Sequence, residues 1–343
     1  MKPNLLFRIF LSAALIFSCC STETIIHEVL SRSASAPVLL DCSAASSTEI
    51  SFRFSVPVRM VSFYMEPSVE VLSYEDGEEI LIVLAESLRE GEKIIADILV
   101  EDDNRNTLNA LVPFRARNDR VPQLVINELR TEYSSATKTA PARVESVEFL
   151  AKSAGNMGAL RLFIAGNSLT QPVFEFPPAE IRAGEYIVLH LRTMLEGSVD
   201  ETGDNLALSG GYEALPDVRD FWVPGTSKLL RKTEIVYLVD QDDRIIDAVL
   251  MSENPGSSWG KDALTSAAEF IAAQRAWLPR NNAGESYILT PSDAIITSGA
   301  TATRTVCRDE TLGNTRSAQN WYITVTSGAT LGKNNNPNRY VPR

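Results

Sequence analysis

A chain of 343 residues, 44% of them hydrophobic, is long enough to form about two ordinary domains. Its 44 acidic residues outnumber its 32 basic residues, and the formal net charge is −12. Because phosphate backbones are bound by clustered Lys and Arg, this composition argues against a nucleic-acid partner. An acidic exterior fits a protein that works outside the cytoplasm.

The first eighteen residues have the pattern of a secretory signal peptide. Two basic residues, Lys2 and Arg8, precede an apolar run over residues 9–17 that is interrupted only by Ser12. This run is too short to form a stable membrane span. Removing residues 1–18 takes away both basic residues and moves the formal charge from −12 to −14.

The end of this segment carries a second signal. Residues 15–19 (LIFSC) resemble the lipobox of bacterial lipoproteins, in which the cysteine becomes the lipidated N-terminus, although Phe17 stands where a small residue is common. The resemblance implies a lipid on Cys19 and attachment to a membrane, with residues 19–35 as a tether rich in Ser and Thr. Two alternatives stay open: cleavage before Cys20, and an ordinary secreted protein whose apolar run ends near cysteines.

Three cysteines are left once Cys19 is assigned to lipid. They are Cys20, Cys42 and Cys307, an odd number that leaves the disulfide state open. One bridge, such as Cys20 with Cys42, fits an oxidising compartment. No spacing of Cys and His typical of a metal site occurs, and no metal or cofactor is expected.

Residues 36–117 contain short runs of alternating apolar and polar residues. In Glu49–Ser55 the apolar side chains of Ile50, Phe52 and Phe54 share one face, which is typical of a strand with one solvent-exposed side. Strands that recur about every ten to twelve residues indicate a β-sandwich rather than alternating strands and helices. Further strands are predicted at 38–40, 61–65, 69–74, 79–84 and 93–100, and a hairpin with an Asp/Asn turn at 98–112.

Two motifs in this region resemble those of a known family. Phe54–Val58 (FSVPV) and Asp102–Leu108 (DDNRNTL) resemble the strand and hairpin of bacterial Ig-like domains of surface proteins. Arg105 stands where that family usually has glycine. The resemblance implies an Ig-like sandwich over residues 36–117, followed by a linker at 118–122.

A second β-sandwich is expected over residues 123–336, followed by a short tail at 337–343. The sequence here resembles the lamin-tail domain, an Ig-like sandwich also found in bacterial secreted and lipid-anchored proteins. The resemblance implies an all-β protein of two tandem Ig-like sandwiches, the second lamin-tail-like with one helical insertion. The segments that carry it are Ile126-Asn-Glu128, Val147–Leu150, Ala183–Leu189, a hairpin at 234–249, Thr303-Arg304, Trp321 and 332–335.

Two segments interrupt the lamin-tail pattern. Residues 195–230 lack periodicity and are predicted to form a long loop, and such loops are usually functional or disordered. Residues 262–277 are predicted to form one amphipathic helix, with Asp262 and Ser266 as candidate caps. Its apolar positions at helical spacing are Leu264, Ala267, Ala268 and Ile271, followed by Arg275.

Four aspartates form a candidate calcium site, because hard cations prefer oxygen ligands. They are Asp240, Asp242, Asp243 and Asp247, and they lack the twelve-residue loop with its central glycine and final glutamate. The first three are interpreted as hairpin-turn residues that satisfy their own backbone. The acids at 101–103 receive the same interpretation.

The lamin-tail resemblance implies that Glu128, Glu148 and Asp247 are structural acids. Buried carboxylates are costly unless they are paired, and Arg304 is a candidate partner of Glu128 and Glu148. His190 is the single histidine beyond the tether, and no Walker loop or Rossmann glycine pattern occurs. The composition does not exclude a pair of carboxylates that hydrolyses glycosides, but the protein is not expected to be an enzyme.

Aromatic residues of the long loop are the best candidates for contact with a partner. Tyr212, Phe221 and Trp222 are expected to be exposed there, because binding often resides on loops carried by a rigid sandwich. The expected function is a non-catalytic, membrane-anchored lipoprotein of the bacterial cell envelope, on a periplasmic or outer face, that contacts a protein or surface ligand. The alternatives are a carbohydrate- or cation-binding surface protein and an accessory domain or relic of a secreted hydrolase.

Overall fold

The computed structural model describes residues 36–281 and 287–342. Their architecture is all-β, built from several sheets and one α-helix, which confirms the predicted fold class. The signal peptide, Cys19 and the tether lie outside the described residues. The described residues divide into two compact units: unit 1 contains 36–87 and 93–115, and unit 2 contains 88–92, 116–281 and 287–342.

Unit 1 is an antiparallel sheet organised around one long strand. β2 (Glu49–Glu66) pairs with β4 (Gly77–Leu84) through its first half and with β5 (Lys93–Asp102) through its second half. The rings of Phe52 and Phe63 are 6.0 Å apart, although the same length of straight strand would span roughly 35 Å. β2 therefore bends, and its halves belong to two facing layers. The remaining strands are β1 (Leu39–Ala44), β3 (Val71–Glu75) and β6 (Thr107–Arg115).

Alternate residues of these strands fill the space between the layers. The predicted inward face of the first half of β2, Ile50, Phe52 and Phe54, is buried. Each of these residues lies two positions from the next, so all three point to the same side of a pleated strand. The same alternation buries Ile80, Ile82 and Leu84 of β4 and Ile94, Ala96, Ile98 and Val100 of β5.

The predicted Asp/Asn turn lies between β5 and β6. The Asp102 carboxylate accepts hydrogen bonds from the backbone N–H groups of Asn104 and Asn106, both at 2.8 Å. Arg105 has φ of 65°, so it adopts the left-handed conformation for which the resembled family uses glycine. Asp102 thus satisfies the backbone of the turn, as the sequence suggested, whereas Glu101 is a residue of β5 that pairs with Arg59.

Unit 2 contains two larger sheets and a two-stranded pair. Its strands are β7 (Leu124–Arg130), β8 (Ser146–Ala151), β9 (Gly155–Asn156), β10 (Arg161–Ile164), β11 (Phe174–Glu175), β12 (Glu180–Ile181), β13 (Tyr186–His190), β14 (Arg219–Trp222), β15 (Glu234–Val239), β16 (Ile245–Ser252), β17 (Ile295–Ile296), β18 (Val306–Arg308) and β19 (Trp321–Ile323). The first sheet has the order β14-β13-β8-β7-β18-β19, and the second has the order β11-β10-β15-β16-β17. One continuous apolar core contains residues of both sheets, including Phe149 and Val249, and the connecting residue Phe176.

The helix of unit 2, α1 (Asp262–Ala273), contacts β15 and β16. Its four predicted apolar positions are buried, which confirms its amphipathic face. The predicted caps are wrong. Lys261 occupies the N-cap position without a capping side-chain hydrogen bond, and Ser266 lies inside the helix, where its backbone N–H already has a helical partner.

The helix ends four residues earlier than predicted. The N–H of Arg275 bonds to the carbonyl of Ala272, and the N–H of Ala276 bonds to that of Ile271, which is the pairing of a Schellman motif. Arg275 has φ of 56° and so leaves the helical conformation. Within residues 36–281 and 287–342, no helix has both the length and the apolar character needed to cross a bilayer.

Candidate functional site

The predicted binding loop contains a buried strand. β14 pairs in parallel with β13, and Phe221 is fully buried while Trp222 is 4% exposed. The expectation that these two aromatic residues are exposed is therefore wrong, and Tyr212 is half-buried. Along β14 the side chains alternate, so Phe221 joins the core and Trp222 points to the outer face of the first sheet.

Two segments without regular structure cover this outer face. Residues 195–217 lie over its β14 edge, and residues 324–342 lie over β7, β8 and β18, as the hydrogen bonds described below show. The face is polar but buried, which is why its residues look like surface residues in the sequence. We call it the covered polar face; it consists of Glu128, Arg130, Ser146, Glu148, His190, Asp220, Trp222 and Cys307.

The covering segment 195–217 is ordered by one buried carboxylate. Glu201 accepts hydrogen bonds from the backbone N–H groups of Leu208 and Ser209 at 3.0 Å and of Asp220 at 2.9 Å. The indole of Trp222 donates to the Ser209 hydroxyl at 2.8 Å. These bonds close the segment over β14, so it is not an open binding loop.

His190 is fully buried on the covered polar face. Its Nε2 lies 2.8 Å from the Asp220 carboxylate, and its ring stacks on Trp222 with ring centres 3.9 Å apart. Ser146 lies directly opposite on β8 and is also fully buried. A serine nucleophile in this position would be closed to substrate.

Residues 256–260 (GSSWG) have the G-x-S-x-G spacing of a nucleophile elbow. Ser258 lies in the exposed connection between β16 and α1, and its hydroxyl accepts the N–H of Gly260 at 3.3 Å. His190 is bound to Asp220 on the covered polar face. The described residues therefore do not bring Ser258 and His190 together as a catalytic pair.

Glu128 and Glu148 are adjacent partners on β7 and β8 and are fully buried. Glu128 accepts from the N–H and the hydroxyl of Thr330 at 3.0 and 2.8 Å, and Glu148 accepts from the N–H of Gly332 and the amide of Asn127. Burial, together with repulsion from Glu128, raises the pKa of Glu148 well above its usual range. Both acids thus hold the C-terminal segment against the first sheet.

The side chain of Asp247 links the two larger sheets of unit 2. Its carboxylate accepts from the N–H of Ile126 at 2.8 Å and pairs with Arg308 of β18. Arg308 also donates to the Ile126 carbonyl at 2.7 Å and lies over the ring of Trp321. The partner of this acid is therefore Arg308. Arg304, the candidate partner of Glu128 and Glu148 from the sequence, lies over Tyr340 instead.

The other aspartates of the candidate calcium site are turn residues. The Asp240 carboxylate accepts from the N–H groups of Asp242 and Arg244, and Asp243 has φ of 58°. Asp242 and Asp243 form ion pairs with arginines. Among the residues that the structure describes, no group of three or more His, Cys, Asp or Glu side chains is placed to hold a metal ion.

Cys42 and Cys307 form no disulfide within the described part of the chain. Burial, with a contribution from Asp41, raises the pKa of Cys42 to about 12. Burial also raises the pKa of Cys307 well above its usual range. Neither thiol has the lowered pKa of a reactive cysteine. Cys20 lies outside the described residues.

Unit 1 presents a solvent-exposed apolar face. Tyr64 of β2 and Leu111 of β6 are the cross-strand partners of Asp97, so all three lie on the same side of the sheet. Tyr64 is 71% exposed and Leu111 is 70% exposed. On the same side, Ile95 of β5 is 39% exposed and its partner on β6, Pro113, is also exposed. We call these four apolar residues the unit 1 face.

Most of unit 2 matches a known protein family. Residues 122–323 match the TP_1001_2nd family, described as a protein second domain. The match spans more than half of the sequence, and the chain belongs to this family.

One relative and two solved structures are similar to parts of the chain. An uncharacterized protein of Treponema pallidum (strain Nichols) is 26% identical over 200 residues, which are 55% of this chain and 48% of that protein. The chain thus spans about half the length of this relative. The N-terminal part of the bacterial S-layer protein SbsC has a TM-score of 0.24 and 13% identity, covering 70% of this chain and 48% of that chain. A DUF4876 family protein from Bacteroides thetaiotaomicron has a TM-score of 0.27 and 8% identity, covering 80% and 87%. These scores are too low to support an inference of function.

Proposed function

We propose that the chain is a non-catalytic, membrane-anchored lipoprotein of the cell envelope that binds a protein partner through the unit 1 face. The observation that carries the proposal is the exposure of Tyr64 and Leu111, at 71% and 70%, on one side of one sheet. Contiguous exposed apolar residues on a soluble domain often mark an interaction surface. Tyrosine is also among the residues most enriched at the energetic centres of protein interfaces.

The composition of this surface favours a protein over a saccharide or a cation. The unit 1 face is formed by a tyrosine ring and aliphatic side chains, and the half-buried Asp97 lies between Tyr64 and Leu111. Interface cores are rich in aromatic and apolar side chains. The acidic turns around Asp102 and Asp240 satisfy their own backbone, so they give the cation-binding alternative no support.

The lipobox-like residues 15–19 and the tether support an anchored location. Lipid chains add about 0.8 kcal/mol of membrane affinity per buried methylene, and more than one chain is needed for stable anchoring. The lamin-tail character of unit 2 belongs to the same proposal. Its support is that three resembling segments lie in or against β7, β8 and β13 of a single sheet.

Photo-crosslinking tests the binding surface. We expect a benzoylphenylalanine at position 64 to form one discrete protein adduct in intact cells, because the unit 1 face contacts the partner directly. The same probe at Leu208, which is 53% exposed in unit 2, is the matched control and should give no such adduct. The adduct from position 64 should disappear when Leu111→Glu is introduced. An adduct that persists in this variant, or that forms equally from position 208, would refute the assignment of the face.

Fractionation tests the anchor separately. We expect Cys19→Ala to remain unlipidated and to move from the membrane to the soluble fraction, because Cys19 is the proposed acceptor of lipid. Cys20→Ala is the control and should stay in the membrane fraction. Continued labelling of Cys19→Ala by a fatty-acid probe would contradict the assignment. The unit 1 face can still bind its partner if this test fails, so the two halves of the proposal are judged independently.

A further inference from the structure

Unit 2 contains a small cavity between α1 and the second sheet. Its volume is about 260 Å³, and most of the residues that line it are apolar. An apolar cavity of about 150 Å³ can hold a benzene molecule, so this one has room for one ring and a short chain. The lining residues that matter here are Phe163, Leu169, Tyr237, Asp243, Ser266 and Phe270.

The cavity exists because α1 covers two aromatic residues with small side chains. Phe163 of β10 and Tyr237 of β15 are cross-strand partners. They lie on the side of the second sheet that α1 covers, since the ring of Phe270 is 5.7 Å from that of Tyr237. The helix places Ser266 and Ala267 beside these rings, and neither side chain is large enough to fill the space.

Three aromatic rings contribute to the wall of this cavity. The rings of Phe163 and Tyr237 are nearly parallel, with centres 5.1 Å apart, and the ring of Phe270 is tilted by 58° against that of Tyr237. Leu169 is 36% exposed, so the apolar lining reaches the surface. The face of an aromatic ring attracts cations as well as apolar groups. The wall therefore suits a ligand that combines an apolar body with a positive charge.

The hydroxyl of Tyr237 has no hydrogen-bond partner among the described residues. Tyr237 is only 4% exposed, and the hydroxyl of a buried tyrosine usually has a partner. A phenol oxygen can both donate and accept a hydrogen bond. A polar group on a ligand in the cavity supplies the partner that the described residues do not.

Asp243 is the single charged residue of the described lining. Its Oδ1 accepts from Arg161 at 2.9 Å, but its side chain is 70% exposed and Arg161 is not part of the lining. The turn does not need this carboxylate, because Asp240 accepts the backbone N–H groups there. Burial, together with the negative charge of Asp243, raises the pKa of Tyr237 to about 12. The charge that acts on the phenol is thus negative, which favours a cationic ligand over an anionic one.

We propose that this cavity binds a primary ammonium compound with a small apolar body. The body lies against the rings of Phe163, Tyr237 and Phe270, and the ammonium group donates to Oδ2 of Asp243 and to the hydroxyl of Tyr237. A primary ammonium has three N–H donors, which is enough for both acceptors. The proposal concerns unit 2 alone, so it is judged apart from partner binding by the unit 1 face.

Calorimetry on the full chain with three probes of similar size tests the proposal. 2-Phenylethylammonium carries a positive charge, 2-phenylethanol is neutral and phenylacetate is negative. We expect saturable binding of the ammonium probe, roughly tenfold weaker binding of the alcohol and no binding of phenylacetate, because only the cation satisfies both Asp243 and Tyr237. An ammonium probe that does not bind, or that binds no more tightly than the alcohol, would overturn the proposal.

Two conservative variants locate the site. Asp243→Asn removes the charge and keeps a residue type that tolerates the φ of 58° at this position. Its affinity for the ammonium probe should fall roughly tenfold, while its affinity for 2-phenylethanol stays unchanged. Tyr237→Phe removes only the hydroxyl. It should melt at or above the wild-type temperature, since that hydroxyl lacks a protein partner, and bind the ammonium probe several-fold more weakly.

Asp242→Asn is the matched control for charge. Asp242 lies in the same turn and pairs with Arg117, but it is not part of the lining. Its replacement should leave the affinity for 2-phenylethylammonium unchanged. Equal losses of affinity in Asp242→Asn and Asp243→Asn would mean that the net charge of the turn attracts the probe, and the site would then be wrong. A Tyr237→Phe variant that binds the probe as tightly as the wild type would contradict it as well.

Discussion

Replacing Arg308 with methionine is expected to lower the free energy of unfolding by about 3–5 kcal/mol, because it leaves a buried carboxylate without its counter-charge. Asp247 and Arg308 are 3% and 5% exposed. The variant also loses the hydrogen bond to the Ile126 carbonyl and the contact with the face of Trp321. Urea denaturation of the full chain measures the change.

Arg304→Met is the matched control for this experiment. Arg304 is half-buried and lies over the ring of Tyr340, and it forms no ion pair among the described residues. Its loss should cost about 1 kcal/mol or less, the usual size of a cation–π contact at a partly exposed site. Equal losses in Arg304→Met and Arg308→Met would contradict the central role of the buried pair.

A double variant and a change of pH separate the charge effect from simple loss of packing. Arg308→Met combined with Asp247→Leu should be more stable than Arg308→Met alone, since no unpaired charge is then buried.

Burial raises the pKa of Asp247, and Arg308 opposes this rise. When folding raises the pKa of an acid, the folded state is more stable at low pH, where the acid is protonated. This contribution to the free energy of unfolding is lost as the pH rises through the pKa that the acid has in the folded state. The single variant should therefore lose less stability at pH 5 than at pH 7.

Local sequence pattern predicts the strands whose one face meets an apolar core. Ile50, Phe52 and Phe54 alternate and form an inward row, and Leu264 and Ile271 mark the buried side of α1. Alternation does not reveal that β2 continues for 18 residues and serves two layers. β2 bends where its register with β4 and with β5 shifts. These shifts depend on which strand each half of β2 pairs with, and strand pairing is a long-range property.

The errors at the candidate site have a common physical cause. Asp220 and Trp222 of the covered polar face resemble residues of an exposed loop, because the polar side of a strand usually faces solvent. Here irregular segments cover the outer face, and its polar groups are satisfied by backbone groups far away in sequence. The carboxylate of Glu128, for example, is bound by Thr330, 202 residues later. No local pattern contains that information, and the same holds for the pairing of Asp247 with Arg308.

Replacing Glu201 with alanine is expected to open the segment 195–217 and expose Trp222 to solvent. The change removes the acceptor of three backbone N–H groups, and each buried donor left without a partner costs about 1–3 kcal/mol. The segment can escape this cost by detaching, because water then satisfies the same donors. We expect a red shift of tryptophan emission and new proteolytic cleavage between residues 196 and 217.

Glu196→Ala separates this effect from loss of charge alone. Glu196 lies in the same segment but is exposed, so its replacement should change neither emission nor cleavage. Gly211→Val reaches the same open state by another route: an added Cβ would lie 2.1 Å from the Trp222 ring, and the segment must move away. If Glu201→Ala kept native emission and resisted protease while Gly211→Val did not, packing on Trp222 rather than the buried carboxylate would hold the cover in place. The covered polar face would then depend on apolar contact, and the hydrogen bonds of Glu201 would set only the local path of the chain.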